Sequence, residues 1–142
     1  MNFAKLVVAW LVVGVVISVL DMIFHGFALN SYYMQLPIMR QDASAALLVL
    51  GTFVFALVFV VAYDRLYATR ECRAGRGATF GFWTGVLLNF PANIFLHLMF
   101  VGFPYRLTWI WTVYGIVEMT IIGAIAGAIY AKKQAARPAV VG

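Results

Sequence analysis

Four long apolar stretches, separated by short polar segments, dominate the chain. They run over residues at about 6–29, 44–63, 78–102 and 107–130. An α-helix needs roughly 20 predominantly apolar residues to cross the hydrocarbon core of a bilayer, and each stretch provides about that number. The pattern therefore predicts an all-α protein, a bundle of four transmembrane helices that forms a single integral membrane domain over residues 1–142.

The composition supports a protein whose main partner is the lipid bilayer, and it excludes several other classes. Hydrophobic residues make up 65% of the chain and charged residues 11%, whereas soluble domains are about one-quarter charged. Because four spans leave only short loops, we expect no soluble catalytic domain. A role other than that of an enzyme is favoured. The lone Cys72 cannot form an internal disulfide, which excludes thiol–disulfide membrane oxidoreductases.

The basic residues lie beside the spans and favour one side of the membrane. This placement explains the net charge of +5 as a topology signal, so we expect no nucleic-acid partner. Arg40 and Arg106 lie in the two loops on one side, whereas the opposite side carries Lys5, Arg65, Arg70, Arg73, Arg76, Lys132, Lys133 and Arg137. Because cytoplasmic loops carry the excess of Lys and Arg, both termini are predicted to face the cytoplasm.

The first span carries a carboxylate and an imidazole within its apolar run. Asp21 and His25 follow Gly14 and Ser18 at spacings of four, three and four residues, which places all four on one helix face. A charged group at the centre of a membrane helix costs roughly 3 kcal/mol or more, so it normally faces the bundle interior and has a partner. We therefore expect this face to point into the bundle, with Gly14 and Ser18 as helix-packing positions.

The third span repeats small or polar residues at every fourth position. The glycines of its first half should allow another helix to approach closely, and the Asn and His residues of its second half supply hydrogen-bonding groups. Pro91 lies between the polar residues and should kink the helix. The series is Gly77, Gly81, Gly85, Asn89, Asn93 and His97.

The fourth span has one polar pair and one packing motif. Tyr114 and Glu118 are four residues apart and share a face, and Gly123 and Gly127 form a small-xxx-small motif typical of close helix packing. At about 1.5 Å per residue, the carboxyls of the first and fourth spans lie roughly 12–15 Å from the outer helix ends. The matched depths predict one polar chamber in the outer half of the bilayer, lined by Asp21, His25, Asn89, Asn93, His97, Tyr114 and Glu118.

Several roles are open for this chamber. The groups could only hold helices together, or they could relay protons, bind an ion or a small polar or cationic molecule, or serve a larger membrane complex or a homo-oligomer. Two histidines and two carboxylates also suit a zinc, iron or manganese site made by Asp21, His25, His97 and Glu118. Alternatively, His25 and His97 could be the axial ligands of a haem within the bundle.

The stretch Asp21-Met-Ile-Phe-His25-Gly, followed by Tyr33 and Arg40, resembles the opening of an uncharacterised family of small bacterial four-helix membrane proteins. Their first helix carries an Asp-x-x-x-His-Gly motif. Pro91 in the third span and Glu118 in the fourth are similar to positions of the same family. The resemblance implies a four-helix fold, a bacterial inner-membrane location and a role for Asp21 and His25. It implies no particular activity.

Overall fold

The computed structural model describes residues 3–40, 42–67 and 74–131, and within these ranges the protein is all-α with no strand. The elements follow in the order α1 (Phe3–Asp21), a π-helix (Met22–Ala28), α2 (Asn30–Tyr33), α3 (Ala45–Tyr67), α4 (Ala74–Met99) and α5 (Tyr105–Tyr130). Arg70, Arg73 and the basic tail from Lys132 onward, which entered the charge argument, lie outside the described residues, as does Cys72.

Within the described residues, four helices are long and apolar enough to cross a membrane, as expected of a multi-pass membrane protein. They are α1 together with the π-helix, α3, α4 and α5. The ends of the observed helices differ from the predicted spans by a few residues, as where α3 continues to Tyr67 rather than ending at Tyr63. We call the end of the bundle with α2 the Tyr33 end, and the opposite end, where α1 begins, the Lys5 end.

A π-helix widens the first span where its polar pair lies. The backbone N–H of Leu29 donates to the carbonyl of Phe24 at 3.0 Å, five residues back rather than four. The widened segment follows directly after Asp21 and contains His25. A π-helical turn holds an extra residue, so it turns the later side chains relative to a regular helix. It thereby sets the directions in which His25 and the following α2 project.

Helices α4 and α5 pack with their backbones in direct contact. A Cβ atom added at Gly77 would overlap the carbonyl oxygen of Gly123, and one added at Gly81 would overlap the carbonyl oxygen of Met119. At Gly85 the added atom would come within 2.8 Å of the Ile116 Cα. Only glycine permits such an approach, because any side chain would separate the two helices.

The apolar core lies toward the Lys5 end, where α1, α3 and α5 meet. Trp10 of α1 donates its indole N–H to the Phe53 carbonyl of α3 at 2.8 Å, and the Phe53 ring lies against Gly14. Lys5 donates to the carbonyls of Tyr130 and Ala131 at the end of α5. The core cluster contains Leu6, Ala9, Val13, Ile17, Ala56, Phe59, Val60, Tyr63, Met119, Ile122, Ala126 and Tyr130.

Helix α3 is divided into a packed half and an unpacked half. In the packed half, Phe59 and Tyr63 belong to the core and contact the Phe80 ring of α4. Toward the Tyr33 end the same helix is exposed all round, with Leu47 at 68% and Leu50 at 60% exposure. Helix α3 is therefore packed against the bundle from about Phe53 toward the Lys5 end and exposed over its other half.

Candidate functional site

One connected set of polar side chains joins the first span to α5 near the Tyr33 end. We call it the polar network, and each member is hydrogen-bonded to, or lies within ion-pair distance of, the next. In order from the Tyr33 end it consists of Trp111, Tyr33, His25, Asp21, Tyr114 and Glu118.

The hydroxyl of Tyr114 links the two carboxyl groups of the network. It lies 2.9 Å from the Asp21 Oδ1 atom and 3.1 Å from the Glu118 Oε1 atom. A tyrosine hydroxyl has one proton, so it can donate fully to only one carboxylate at a time. The second contact is satisfied when a carboxyl carries a proton and donates to the tyrosine oxygen. The three groups therefore fit best with one additional proton shared between Asp21 and Glu118.

The imidazole of His25 connects this pair to Tyr33 and Trp111. Its Nδ1 atom lies 2.5 Å from the Tyr33 hydroxyl oxygen, which also accepts the indole N–H of Trp111 at 2.7 Å. Because indole is only a donor, the Tyr33 proton is available for His25 Nδ1, and this bond places the His25 proton on Nε2. Nε2 lies 3.8 Å from the Asp21 Oδ1 atom, so the proton-bearing nitrogen faces the carboxylate.

Tyr33 lies in α2, outside the membrane-spanning helices, and its surroundings keep its hydroxyl protonated. Burial raises the pKa of Tyr33 above its ordinary value of 10.0. The hydrogen bond from Trp111 acts in the opposite direction, and the charge of Asp21 adds to the rise. Near neutral pH Tyr33 is therefore a hydrogen-bond donor to His25.

Aromatic rings surround the polar network. The Phe24 ring stacks on Tyr114 with centroids 3.8 Å apart and planes 5° from parallel. The His25 ring packs edge-to-face against Tyr114 and Trp111, with ring centroids 5.2 Å and 6.0 Å apart. The Tyr33 ring completes the group by stacking on His25 at 5.8 Å. These contacts hold the polar atoms in fixed positions while apolar ring surface surrounds them.

Accessibility changes along the network. The side chains of Asp21 and His25 are 38% and 34% exposed, whereas Glu118 is buried with 7% exposure. The network thus has one half-open section and one closed end. The half-open section is where a proton or ligand could enter, and Glu118 is the group that it could reach through Tyr114.

The remaining residues predicted for the chamber are hydrogen-bonded elsewhere. Asn93 donates to the hydroxyl of Thr112 at 3.3 Å, and the Nδ1 atom of His97 lies 2.8 Å from the carbonyl of Phe103. Asn89 donates to the carbonyl of Gly85, one turn back on its own helix. The structure brings Asp21, His25, Tyr114 and Glu118 together, and it places these three α4 residues in separate local contacts.

The geometry gives little support to a metal or haem site. Within the described ranges, no three or more His, Cys, Asp or Glu side chains are grouped so that they could hold a metal ion. The proposed ligands His25 and His97 are hydrogen-bonded to different parts of the chain, Tyr33 and Phe103. Asp21 and Glu118 lie together, with Tyr114 between them.

Sequence reasoning missed three residues of the site. It gives none of Tyr33, Trp111 and Phe24 a place in the chamber. Their contribution depends on the π-helix and the short α2, which fold Tyr33 back over His25 although eight residues separate them. The sequence signal that points to them is the clustering of aromatic residues around an Asp–His pair within a predicted span.

Comparison with known proteins finds no matching family model, no matching curated protein and no matching solved structure. The family resemblance of the first span therefore stays a prediction.

Proposed function

We propose that this membrane protein handles protons, and that the polar network takes up and releases a proton between the outer side of the membrane and the buried Glu118. In this proposal His25 and Asp21 exchange protons at the half-open section. Tyr114 passes them to and from Glu118. The orientation follows from the charge distribution, which predicts that the Tyr33 end faces outward.

The observation that carries the proposal is the placement of one hydroxyl between two carboxyls. Tyr114 can donate to one carboxyl while it accepts from the other, so a proton can move between Asp21 and Glu118 by small shifts along existing hydrogen bonds. His25 supports it as well, because imidazole is the side chain whose unperturbed pKa lies in the physiological range.

A purely structural role would require less than this arrangement. Interhelical hydrogen bonds between neutral side chains such as Asn93 and Thr112 already join α4 to α5. Each contributes about 0.6–2 kcal/mol without placing a charge in the membrane. Ionisable groups in a spanning helix are costly, and they typically mark proton or ion pathways.

Infrared difference spectroscopy of the protein in lipid, recorded as a function of pH, tests the proposal. The C=O stretch of a protonated carboxyl should respond in the same way to Asp21→Asn, Glu118→Gln and Tyr114→Phe, because the three residues share one proton. Tyr114→Phe is the most informative variant, since it removes the linking hydroxyl and keeps the ring that stacks on Phe24.

Tyr105→Phe is the matched control. It also removes a tyrosine hydroxyl at the Tyr33 end, from a residue that is 57% exposed and packs on His97. Its spectrum should match that of the unmodified protein. A shared proton would be contradicted if Asp21→Asn and Glu118→Gln each changed a different C=O band while Tyr114→Phe left the spectrum unchanged.

A further inference from the structure

Both ring nitrogens of His25 face other members of the polar network. The Nδ1 atom lies 2.5 Å from the Tyr33 hydroxyl oxygen, and the Nε2 atom lies 3.8 Å from the Asp21 Oδ1 atom. A proton that crosses the imidazole toward Asp21 must therefore arrive at Nδ1 and leave from Nε2. An N–H···O hydrogen bond spans roughly 2.7–3.2 Å, so a side-chain shift of about 1 Å at Asp21 completes this path.

The hydroxyl of Tyr33 is bonded so that it can form the outer end of the path. Its oxygen accepts the indole N–H of Trp111 at 2.7 Å, and an indole is a donor only. A hydroxyl oxygen has two acceptor positions, so the second is available to a donor on His25. Tyr33 can thus donate to Nδ1 or accept from it while it keeps the bond from Trp111. The residue is half-buried in α2, outside the membrane-spanning helices.

We propose that protons enter and leave the polar network through the Tyr33 hydroxyl, and that each passage switches His25 between its two neutral tautomers. The inference rests on the proton-handling function and names the entry residue of that same site. On uptake, water at the Tyr33 end gives a proton to the Tyr33 oxygen while the hydroxyl proton of Tyr33 moves to His25 Nδ1. The Nε2 proton of His25 moves to the Asp21 carboxylate. Release follows the same steps in reverse.

The hydrogen bonds of the network can be satisfied both before and after uptake. Before uptake, Nε2 carries the His25 proton, Asp21 is a carboxylate, and the proton that it shares with Glu118 rests on Glu118. After uptake, Nδ1 carries the His25 proton and donates to the Tyr33 oxygen, and Asp21 is neutral. One proton has left the water and one has reached Asp21. Because His25 is neutral in both states, the step avoids the cost of a charged ring in a spanning segment.

The pH dependence follows from the titratable groups that face His25. They are Asp21 of α1, Tyr33 of α2 and Tyr114 of α5, which in turn contacts Glu118. As the pH falls, the Asp21 carboxylate takes up a proton. The proton of the imidazole should then move from Nε2 to Nδ1, so the His25 tautomer reports the protonation of the carboxyl pair.

The second histidine provides a reference for one tautomer within the same molecule. The Nδ1 atom of His97 lies 2.8 Å from the carbonyl oxygen of Phe103, which can only accept a hydrogen bond. The His97 proton is therefore on Nδ1, whereas that of His25 is on Nε2 before uptake. The chain has two histidines, so a spectrum of the ring nitrogens can distinguish them.

Solid-state NMR of the full chain in lipid bilayers, with ¹⁵N-labelled histidine, tests the switch as a function of pH. Before uptake, the two histidines should show opposite tautomers. As the pH falls, His25 should acquire the Nδ1–H signature of His97, with the same midpoint as the carboxyl C=O band in infrared spectra. A single His25 tautomer at every pH, or an imidazolium signal of His25 at that midpoint, would overturn the inference.

Tyr33→Phe tests the entry route, since it removes the hydroxyl and keeps the ring that stacks on His25. After a rapid drop in pH, the carboxyl band should appear roughly tenfold or more slowly, because a positioned proton donor is lost, and should reach the same final intensity. Tyr32→Phe is the matched control, because it removes the hydroxyl of the preceding residue of α2, which is not a member of the polar network. It should take up protons at the unmodified rate. An unchanged rate in Tyr33→Phe, equal slowing in both variants, or loss of the band itself would overturn Tyr33 as the entry residue.

These results separate the inference from the proton-handling proposal. If His25 keeps one tautomer while the infrared bands respond together to Asp21→Asn, Glu118→Gln and Tyr114→Phe, protons are shared by the carboxyls and enter directly at Asp21. Only the inference then fails. If the bands respond independently as well, both proposals fail. The switch is measured in the unmodified protein, so it can be tested even where the Tyr33 variant does not fold.

Discussion

Helix α5 packs against α4 on one face and against α1 on another, and polar side chains lie in both interfaces. Between α4 and α5 each polar group has its own partner, as where Asn93 meets Thr112, and His97 of α4 bonds the Phe103 carbonyl in the connection that leads to α5. Between the first span and α5 the groups share partners, so that one hydroxyl of Tyr114 serves two carboxyls. Residues spaced alike in sequence thus form separate bonds in one interface and a continuous network in the other.

The difference follows from how closely the helices approach. Glycines bring the α4 and α5 backbones into contact, and little space remains for side chains to meet one another at that level. The first span meets α5 through long side chains, with Asp21 reaching Tyr114 and the widened π-helix carrying His25 beside it. Close backbone packing thus favours isolated, permanent hydrogen bonds, whereas contact through side chains allows protons to be shared.

The largest effect should come from breaking the backbone contact. Gly81→Leu should prevent α4 and α5 from packing, because the new side chain would overlap the Met119 carbonyl, which cannot move aside. The cost should exceed the roughly 1–3 kcal/mol of ordinary overpacking. Size-exclusion chromatography and thermal unfolding in detergent would show loss of the folded protein.

Gly51→Leu is the control for this change. No atom lies within 4 Å of a Cβ added at Gly51, which is exposed on α3. The same substitution there should leave the unfolding midpoint nearly unchanged. Equal losses at Gly51 and Gly81 would show that the α4–α5 contact is not what makes the bundle sensitive.

The two histidines should respond differently to replacement by alanine. His97→Ala removes one hydrogen bond to the Phe103 carbonyl, and we expect a loss of about 1 kcal/mol of stability with unaltered infrared titration. His25→Ala interrupts the network between Tyr33 and Asp21, so the infrared titration should change. If the infrared titration changed in the His97→Ala variant and not in His25→Ala, the account would be contradicted, because the proton site would then lie at α4 and not in the polar network.

A smaller effect is expected at alkaline pH. Because burial raises the pKa of Tyr33 above 10.0, the unfolded chain loses this proton at lower pH than the folded protein does. The contribution of Tyr33 to folding is then fully present below about pH 10 and is lost as the pH rises through the folded pKa. Tyr33→Phe should make the unfolding midpoint fall less steeply above that pH. An identical alkaline profile for the variant would contradict the buried, hydrogen-bonded Tyr33.

Much of the fold follows from the sequence, because long apolar runs are a direct signal for spanning helices. The spacing of the glycines in α4 likewise indicates a close helix contact, and their partners Gly123 and Met119 lie on α5. The spacing of glycines and polar residues does not show which neighbouring helix or loop each of them contacts. For this reason the sequence predicts Asn93 and His97 in the chamber, whereas their hydrogen bonds in the structure are to Thr112 and Phe103.

The π-helix could not be read from the sequence. Its side chains fit a regular helix equally well, and only the backbone bond from Leu29 to Phe24 distinguishes the two forms. The exposed half of α3 was undetermined for a similar reason, since a helix that is apolar all round gives no sign of which half is packed. The π-helix carries His25 and follows Asp21 directly, so the site depends on a feature that the pattern of residues leaves undetermined.

A double-mutant cycle between Asp21→Asn and Glu118→Gln tests the central claim most directly, because it measures whether the two carboxyls act as one unit. The free energies of unfolding should be non-additive by about 0.5–3 kcal/mol, and this coupling should disappear when Tyr114→Phe is present. The control cycle of Asp42→Asn with Glu118→Gln should be additive. Additivity within about 0.3–0.5 kcal/mol for Asp21 and Glu118 as well would contradict the shared network.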